Sequence, residues 1–228
     1  IEVDQLEMTR LVLEGRNISY EQLPAKSVGL TFDELAAELS LRIGVEGFNE
    51  DTLRTLGLLT GEGFNIAAEI LADSGGMPGI DVAQFGEDVG VIRRRVTSFG
   101  KSLLSELDEV MQVYRDCYCY EKTVGLRRES FERVPSEAFR EAITNAVVHR
   151  TWDVPAHVRV AMFEDRIEVT SPGGLPAGIT EEEYLSDMLS VRRNPTLANV
   201  FFRLGLIEAF GTGIHKIRSA LLCVSDYG

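Results

Sequence analysis

Cysteine, tryptophan and histidine are all scarce here, with three, one and three copies among 228 residues. Cys117, Cys119 and Cys223 are too few for a disulfide framework. Cys117-Tyr118-Cys119 lacks both the two-residue spacer and the second cysteine pair of a zinc site. Reduced thiols in a cytoplasmic protein are the expectation. No run of about 18 apolar residues exists to span a bilayer, so no membrane partner is expected. An excess of basic charge is missing too: 23 Lys and Arg face 36 Asp and Glu, and a net charge of -13 opposes non-specific nucleic-acid binding. No secretory signal is expected, and the chain opens at Ile1 rather than Met, as expected of a piece of a longer protein.

A Walker-type phosphate loop is also lacking. Gly100-Lys101-Ser102 imitates the end of one, but the glycine required five residues earlier is Arg95. A helicase motor is thereby excluded.

What is present is a globular composition, 44% hydrophobic and 26% charged. Residues 1–29, punctuated by Pro24 and Gly29, read as the tail of a preceding domain. Residues 30–97 read as an α/β scaffold segment. Thr31 and Glu34 form a capping-box signature ahead of an amphipathic helix, a second helix covers Asn49 to Leu58, and 65–71 suits helix or strand. Ile80 to Phe85 and Val91 to Val96 are strand candidates. Residues 98–228 read as the functional domain. A helix follows Ser102, and residues 120–134 suit a strand and turn. The alternating runs 157–163 and 166–170 form a hairpin around Glu164-Asp165.

Charge divides unevenly. Residues 135–228 carry 9 basic and 12 acidic side chains, against 14 and 24 in the first 134. Arg192, Arg193, Arg203, Lys216 and Arg218 share their stretch with one acid, Glu208, an arrangement suited to phosphates.

The stretch Arg140 to Arg150 carries the chemistry. It reads as a mostly apolar helix with Ser136 as N-cap, interrupted by Glu141 and Asn145 at i,i+4 spacing on one face. Burying an amide unpartnered costs roughly 2–7 kcal/mol, so the pair needs compensation. Two backbone-capping side chains would supply it, as would a divalent cation with a nucleotide. Further on come a glycine-rich loop, 171–178, and an acidic helix after Thr180. A helix begins at Asn194-Pro195, and Gly211-Thr212-Gly213 opens the last helix. Glycines at a helix start suit phosphate, because free N–H groups and the dipole meet there without Cβ atoms in the way.

In this order the features resemble the GHKL, or Bergerat-fold, ATPases. Arg140-Glu141-Ala142, Asn145-Ala146, His149-Arg150, Asp165-Arg166-Ile167-Glu168, Pro172-Gly173-Gly174-Leu175-Pro176, Arg193-Asn194-Pro195 and Gly211-Thr212-Gly213-Ile214 are similar to the divergent HATPase_c_4 version, or AAA-4 type. That version occurs in transcriptional regulators, some loosely labelled RecG-like, where an AlbA_2 domain usually precedes. The resemblance implies an α+β fold: a two-layer α/β sandwich of the GHKL type, preceded by a smaller α/β segment and C-terminally truncated. It implies ATP and Mg as cofactors. Asn145 would hold Mg²⁺, Glu141 would orient or deprotonate the attacking water, and Gly173 and Gly174 would lie along the nucleotide. Arg192 or Arg193 would reach the γ-phosphate, and Gly211, Thr212 and Gly213 would hold phosphates through backbone N–H groups.

The implied function is an ATP-binding switch domain of a transcriptional regulator with slow or absent ATPase activity. The resemblance admits a homodimer and places any DNA contact outside this stretch. Thr170 stands where the family reads adenine with Asp, and Pro172 at its first glycine. These departures support a second reading, a nucleotide-free interaction or dimerisation module that retains the fold.

Overall fold

The computed structural model describes residues 5–175, 180, 182, 193–207, 217 and 219. Helix α1 (Gln5–Arg16) and a 3-10 turn (Tyr20–Gln22) precede α2 (Asp33–Ile43) and α3 (Glu50–Thr55). A two-stranded ribbon, β1 (Leu59–Thr60) and β2 (Gly63–Phe64), leads into α4 (Ile66–Leu71). Then come β3 (Pro78–Phe85), β4 (Ile92–Phe99), α5 (Leu103–Tyr118), β5 (Cys119–Val124) and β6 (Arg127–Glu132). The site-bearing part contains α6 (Ser136–Val148), β7 (Val158–Met162), β8 (Ile167–Thr170) and α7 (Pro195–Arg203).

A four-stranded sheet in the order β4-β3-β7-β8 is the centre of the molecule. The β3–β4 and β7–β8 pairs are antiparallel, while β3 and β7 run parallel with Ile80 opposite Val158 and Val82 opposite Val160. Period-2 alternation decides what each face meets. Ile80, Val82, Val158, Val160 and Met162 are buried on the side covered by α5 and α6, which also pack on each other. On the opposite face Arg159, Glu168 and Thr170 are exposed, and Asp81 is tied to Arg95 and Thr97. The result is a mixed α/β domain with helices against a central sheet. Two of its four strands come from the 30–97 stretch, β4 running two residues past residue 97, and two from further along the chain.

Several helix starts differ from the sequence expectations. No side chain of its own segment caps α2; Asp73 reaches in, its carboxylate accepting from the N–H groups of Asp33 (2.8 Å) and Glu34 (3.0 Å). Burial pushes the Asp73 carboxyl up, but these bonds outweigh it and hold the pKa below its ordinary value. Ser136 is the first residue of α6 rather than its cap, and its N–H is taken by Glu132 Oε2 at 2.6 Å. The same helix closes at Val148, two residues short of Arg150. The 65–71 run is helical because Asn65 Oδ1 accepts from Ala68 N, satisfying an end donor. Ser102, in the false phosphate loop, is the buried N-cap of α5, and its hydroxyl donates to the Leu71 carbonyl. The hairpin β5–β6 turns at Gly125-Leu126 with Gly125 at φ 63°, as a two-residue hairpin turn requires.

Candidate functional site

Helix α6 is held by its apolar side, with Ala138, Phe139, Ile143, Val147 and Val148 buried. That anchoring fixes the orientation of Glu141 and Asn145. Glu141 is 6% exposed, Asn145 is half-buried, and the Asn145 amide Nδ2 donates to Glu141 Oε1 at 2.9 Å. The bond partly meets the cost of burying both groups. It also leaves Asn145 Oδ1, the atom able to ligate a hard cation, as the free end of the amide. Among the described residues no group of three or more His, Cys, Asp or Glu side chains gathers to hold a metal ion.

The loop after β8 folds back over the end of α6. Ser171 Oγ donates to the Ala146 carbonyl (2.7 Å), and Thr151 N donates to the Pro172 carbonyl (2.9 Å). Gly173 sits at φ 106°, and a Cβ there would stand 1.9 Å from Thr151 Oγ1. The fold itself therefore demands glycine at 173. Gly174 differs: a Cβ there would meet nothing within 4 Å. Among the described residues nothing explains its identity, and the space they leave beside it suits close approach by a ligand.

Arg193 lies in the same neighbourhood. Its Nη1 donates to Thr151 Oγ1 (2.7 Å) and the His149 carbonyl (3.3 Å), and its Nη2 to the Gly174 carbonyl (2.6 Å). The structure thus gathers Glu141 and Asn145 on one helix face, and Gly173, Gly174 and Arg193 around Thr151. Arg192, Gly211, Thr212 and Gly213 lie outside the described residues, as do the end of the 171–178 loop and, apart from the single residues Glu182, Ile217 and Ser219, the helices expected after Thr180 and Gly213.

Sequence reasoning missed Glu21 altogether and the structural tasks of Asn194 and Arg150, which it named only within motifs. Asn194, 2% exposed, donates through Nδ2 to the carbonyls of Val148 (2.7 Å) and Arg150 (2.9 Å), closing the C-terminus of α6. Glu21, fully buried, accepts from the N–H groups of Thr196 and Leu197 and so caps α7. Burial raises the Glu21 pKa, and those bonds offset part of the rise. Arg150 is 1% exposed. Its guanidinium donates to the carbonyls of Pro78 (2.6 Å), Val154 and Ala156 and lies 4.1 Å over the Trp152 ring. No local sequence signal marks Glu21 or Asn194 for these tasks. The Arg150-x-Trp152 pair was the visible hint, a cation beside the single tryptophan.

Comparison with known proteins bears on part of this region. A family model described as "Putative ATP-dependent DNA helicase recG C-terminal" (HATPase_c_4) matches residues 156–223. The stretch includes Gly173, Gly174 and Arg193 but begins after α6. Among solved structures the chain is similar to the DIP2311 protein from Corynebacterium diphtheriae, at 26% identity and a TM-score of 0.77. The alignment covers 99% of this chain and 47% of that one, so the chain spans about half the length of that protein. No curated protein matches the chain.

Proposed function

We propose that this chain is a divergent GHKL-type domain that binds ATP with Mg²⁺ and serves as a switch in a transcriptional regulator, with slow or absent hydrolysis. The observation that carries the reading is the α6 pair: Asn145 donating through Nδ2 to Glu141 and keeping Oδ1 available, near a loop whose Gly174 has no described neighbour where a Cβ would stand. The family match over 156–223 supports it from the other side of the site.

The residues fit the implied groups. Asn145 Oδ1 is a neutral oxygen of the kind Mg²⁺ accepts, and Mg²⁺ would neutralise phosphate charge. Glu141 would position a water from its buried place on the helix, with Asn145 fixing one of its oxygens. Gly173 and Gly174 would border the nucleotide. Arg193 is engaged with Thr151 and Gly174 here, so its role is to shape the glycine loop, and Arg192, Gly211, Thr212 and Gly213 remain the proposed phosphate holders. The switch reading is supported by the contact of Arg193 with the Gly174 carbonyl, since the next residue, Asn194, bonds the end of α6 and precedes α7.

Calorimetry with ATP and Mg²⁺ tests the reading: wild type releases heat with saturable binding, and Asn145→Ala does not. Equal heats in both proteins, or none in wild type, would overturn it. The second reading, a nucleotide-free interaction module, is favoured by Thr170 and Pro172 at the adenine-reading positions. It predicts the absence of heat in wild type.

A further inference from the structure

A second polar centre is built on the same α6–β7 loop, from Arg150 and Trp152 on either side of Thr151, and it stands independently of the nucleotide reading. Glu106 of α5 is 2% exposed, and Arg150 is 1% exposed. Both meet the start of β3: the Glu106 carboxylate lies against Gly79, and Arg150 Nη1 donates to the Pro78 carbonyl. Gly79 lies between, where a Cβ would come within 1.8 Å of Glu106 Oε2. Three elements, α5, β3 and the loop 149–157, are thereby joined through one buried carboxylate and one buried guanidinium.

The joint is polar but incompletely bonded. Glu106 Oε2 and Trp152 Nε1 are both buried and have no hydrogen-bond partner, and Arg150 Nε is a third such atom. Glu106 and Trp152 also line one pocket, together with Glu69, Met77, Gly79 and Lys101, and it has room for about one water molecule. An acceptor and a donor facing a void of that size are what an internal water needs, whereas leaving each unpaired costs roughly 1–3 kcal/mol.

We propose that Glu106, Trp152 and one internal water form a proton-binding joint, closed by Arg150, that ties α5 and β3 to the α6–β7 loop. The water bridges Glu106 Oε2 and Trp152 Nε1. The proton comes from bulk solvent and adds to the Glu106 carboxylate, converting an acceptor into a donor and removing the counter-charge of Arg150. Charged groups that act on Glu106 are Arg150 behind it, Lys101 ahead of α5 and Glu109 one turn on, with Glu69 across the pocket on α4. Burial outweighs the pull of Arg150 and raises the Glu106 pKa from 4.5 to about 7, so both forms are populated near neutrality.

Trp152 is the chain's one tryptophan, so emission under tryptophan-selective excitation, which leaves the six tyrosines dark, reports on this joint. Across pH 5–9 the emission of wild type should follow a single-proton step with its midpoint near 7. Glu106→Gln should flatten the step, while His157→Gln and Glu69→Gln should keep it. A step that survives Glu106→Gln, or no step in wild type, would overturn the proposal. Should Glu106→Gln not fold, carboxyl ¹³C shifts of wild type decide: a glutamate titrating near neutrality supports the joint, and all glutamates titrating in the ordinary range refute it. A crystal structure of the same chain should show the bridging water, and a dry contact there would equally refute it.

Discussion

At the scale of single residues, the two adjacent glycines of the 171–175 loop separate fold from function. Gly173 has a positive φ and Thr151 Oγ1 in the way of any Cβ, whereas Gly174 has neither constraint. Gly173→Ala should therefore lower stability by about 1–3 kcal/mol, as forced backbone strain does. Gly174→Ala should leave the melting temperature almost unchanged and, if the proposed nucleotide reading holds, weaken ATP binding. Thermal unfolding and calorimetry of the two variants check this, and equal stability losses would remove Gly174 from the site. Glu106 gives a second residue-level prediction. Its folded pKa is raised above the unfolded 4.5, so its favourable contribution is complete below 4.5 and is lost as pH rises through about 7. Relative to Glu106→Gln, wild type should lose stability between those limits, by up to about 3 kcal/mol at roughly 1.4 kcal/mol per unit. Denaturant titrations at pH 5 and pH 8 measure it. Glu21, also raised, tilts stability in the same direction.

At the scale of elements, helix ends carry the long-range wiring. The N-terminus of α7 is closed by Glu21, 175 and 176 residues away in the chain, while Asn194 just before it closes the C-terminus of α6. Glu21→Ala leaves two buried N–H groups without partners and should cost on the order of 2–4 kcal/mol. If the switch reading holds, it should also weaken nucleotide binding without touching the ligand. Chemical denaturation alongside ATP calorimetry tests both effects. These same ends show where the sequence stopped being legible. The hairpin β7–β8 was readable because Val158, Val160 and Met162 recur at every second position around Arg159 and Ala161, a signal contained in a few residues. The α6 pair was readable because i,i+4 spacing is local, and Asn145 does bond Glu141. The α2 cap was not, because Asp73 arrives from 40 residues away and displaces the local Thr31–Glu34 pattern. Glu106 escaped notice for a similar reason: on its helix it is one acid among several, and only packing against Gly79 makes it special.

At the scale of the whole molecule, the sheet decides what can fold alone. The sequence suggested a boundary at residue 97, with the functional part in 98–228. The central order β4-β3-β7-β8 places strands from the earlier stretch beside β7, in parallel pairing from Ile80–Val158 to Gln84–Met162. A chain of residues 98–228 would leave one edge of β7 unpaired and remove Ile80 and Val82 from the core. Each such side chain contributes about 1.5–3 kcal/mol on burial, against a total domain stability of roughly 5–15 kcal/mol. It would also strand Arg150, whose strongest backbone partner outside its own loop is Pro78. The fragment should therefore show no cooperative unfolding transition and weak amide protection in β7, whereas the chain from residue 1 should unfold in one step. Circular dichroism melts and hydrogen exchange on both chains measure this. A cooperative transition in the 98–228 fragment would show that β7 and β8 hold their fold without β3, and would support the boundary at 97.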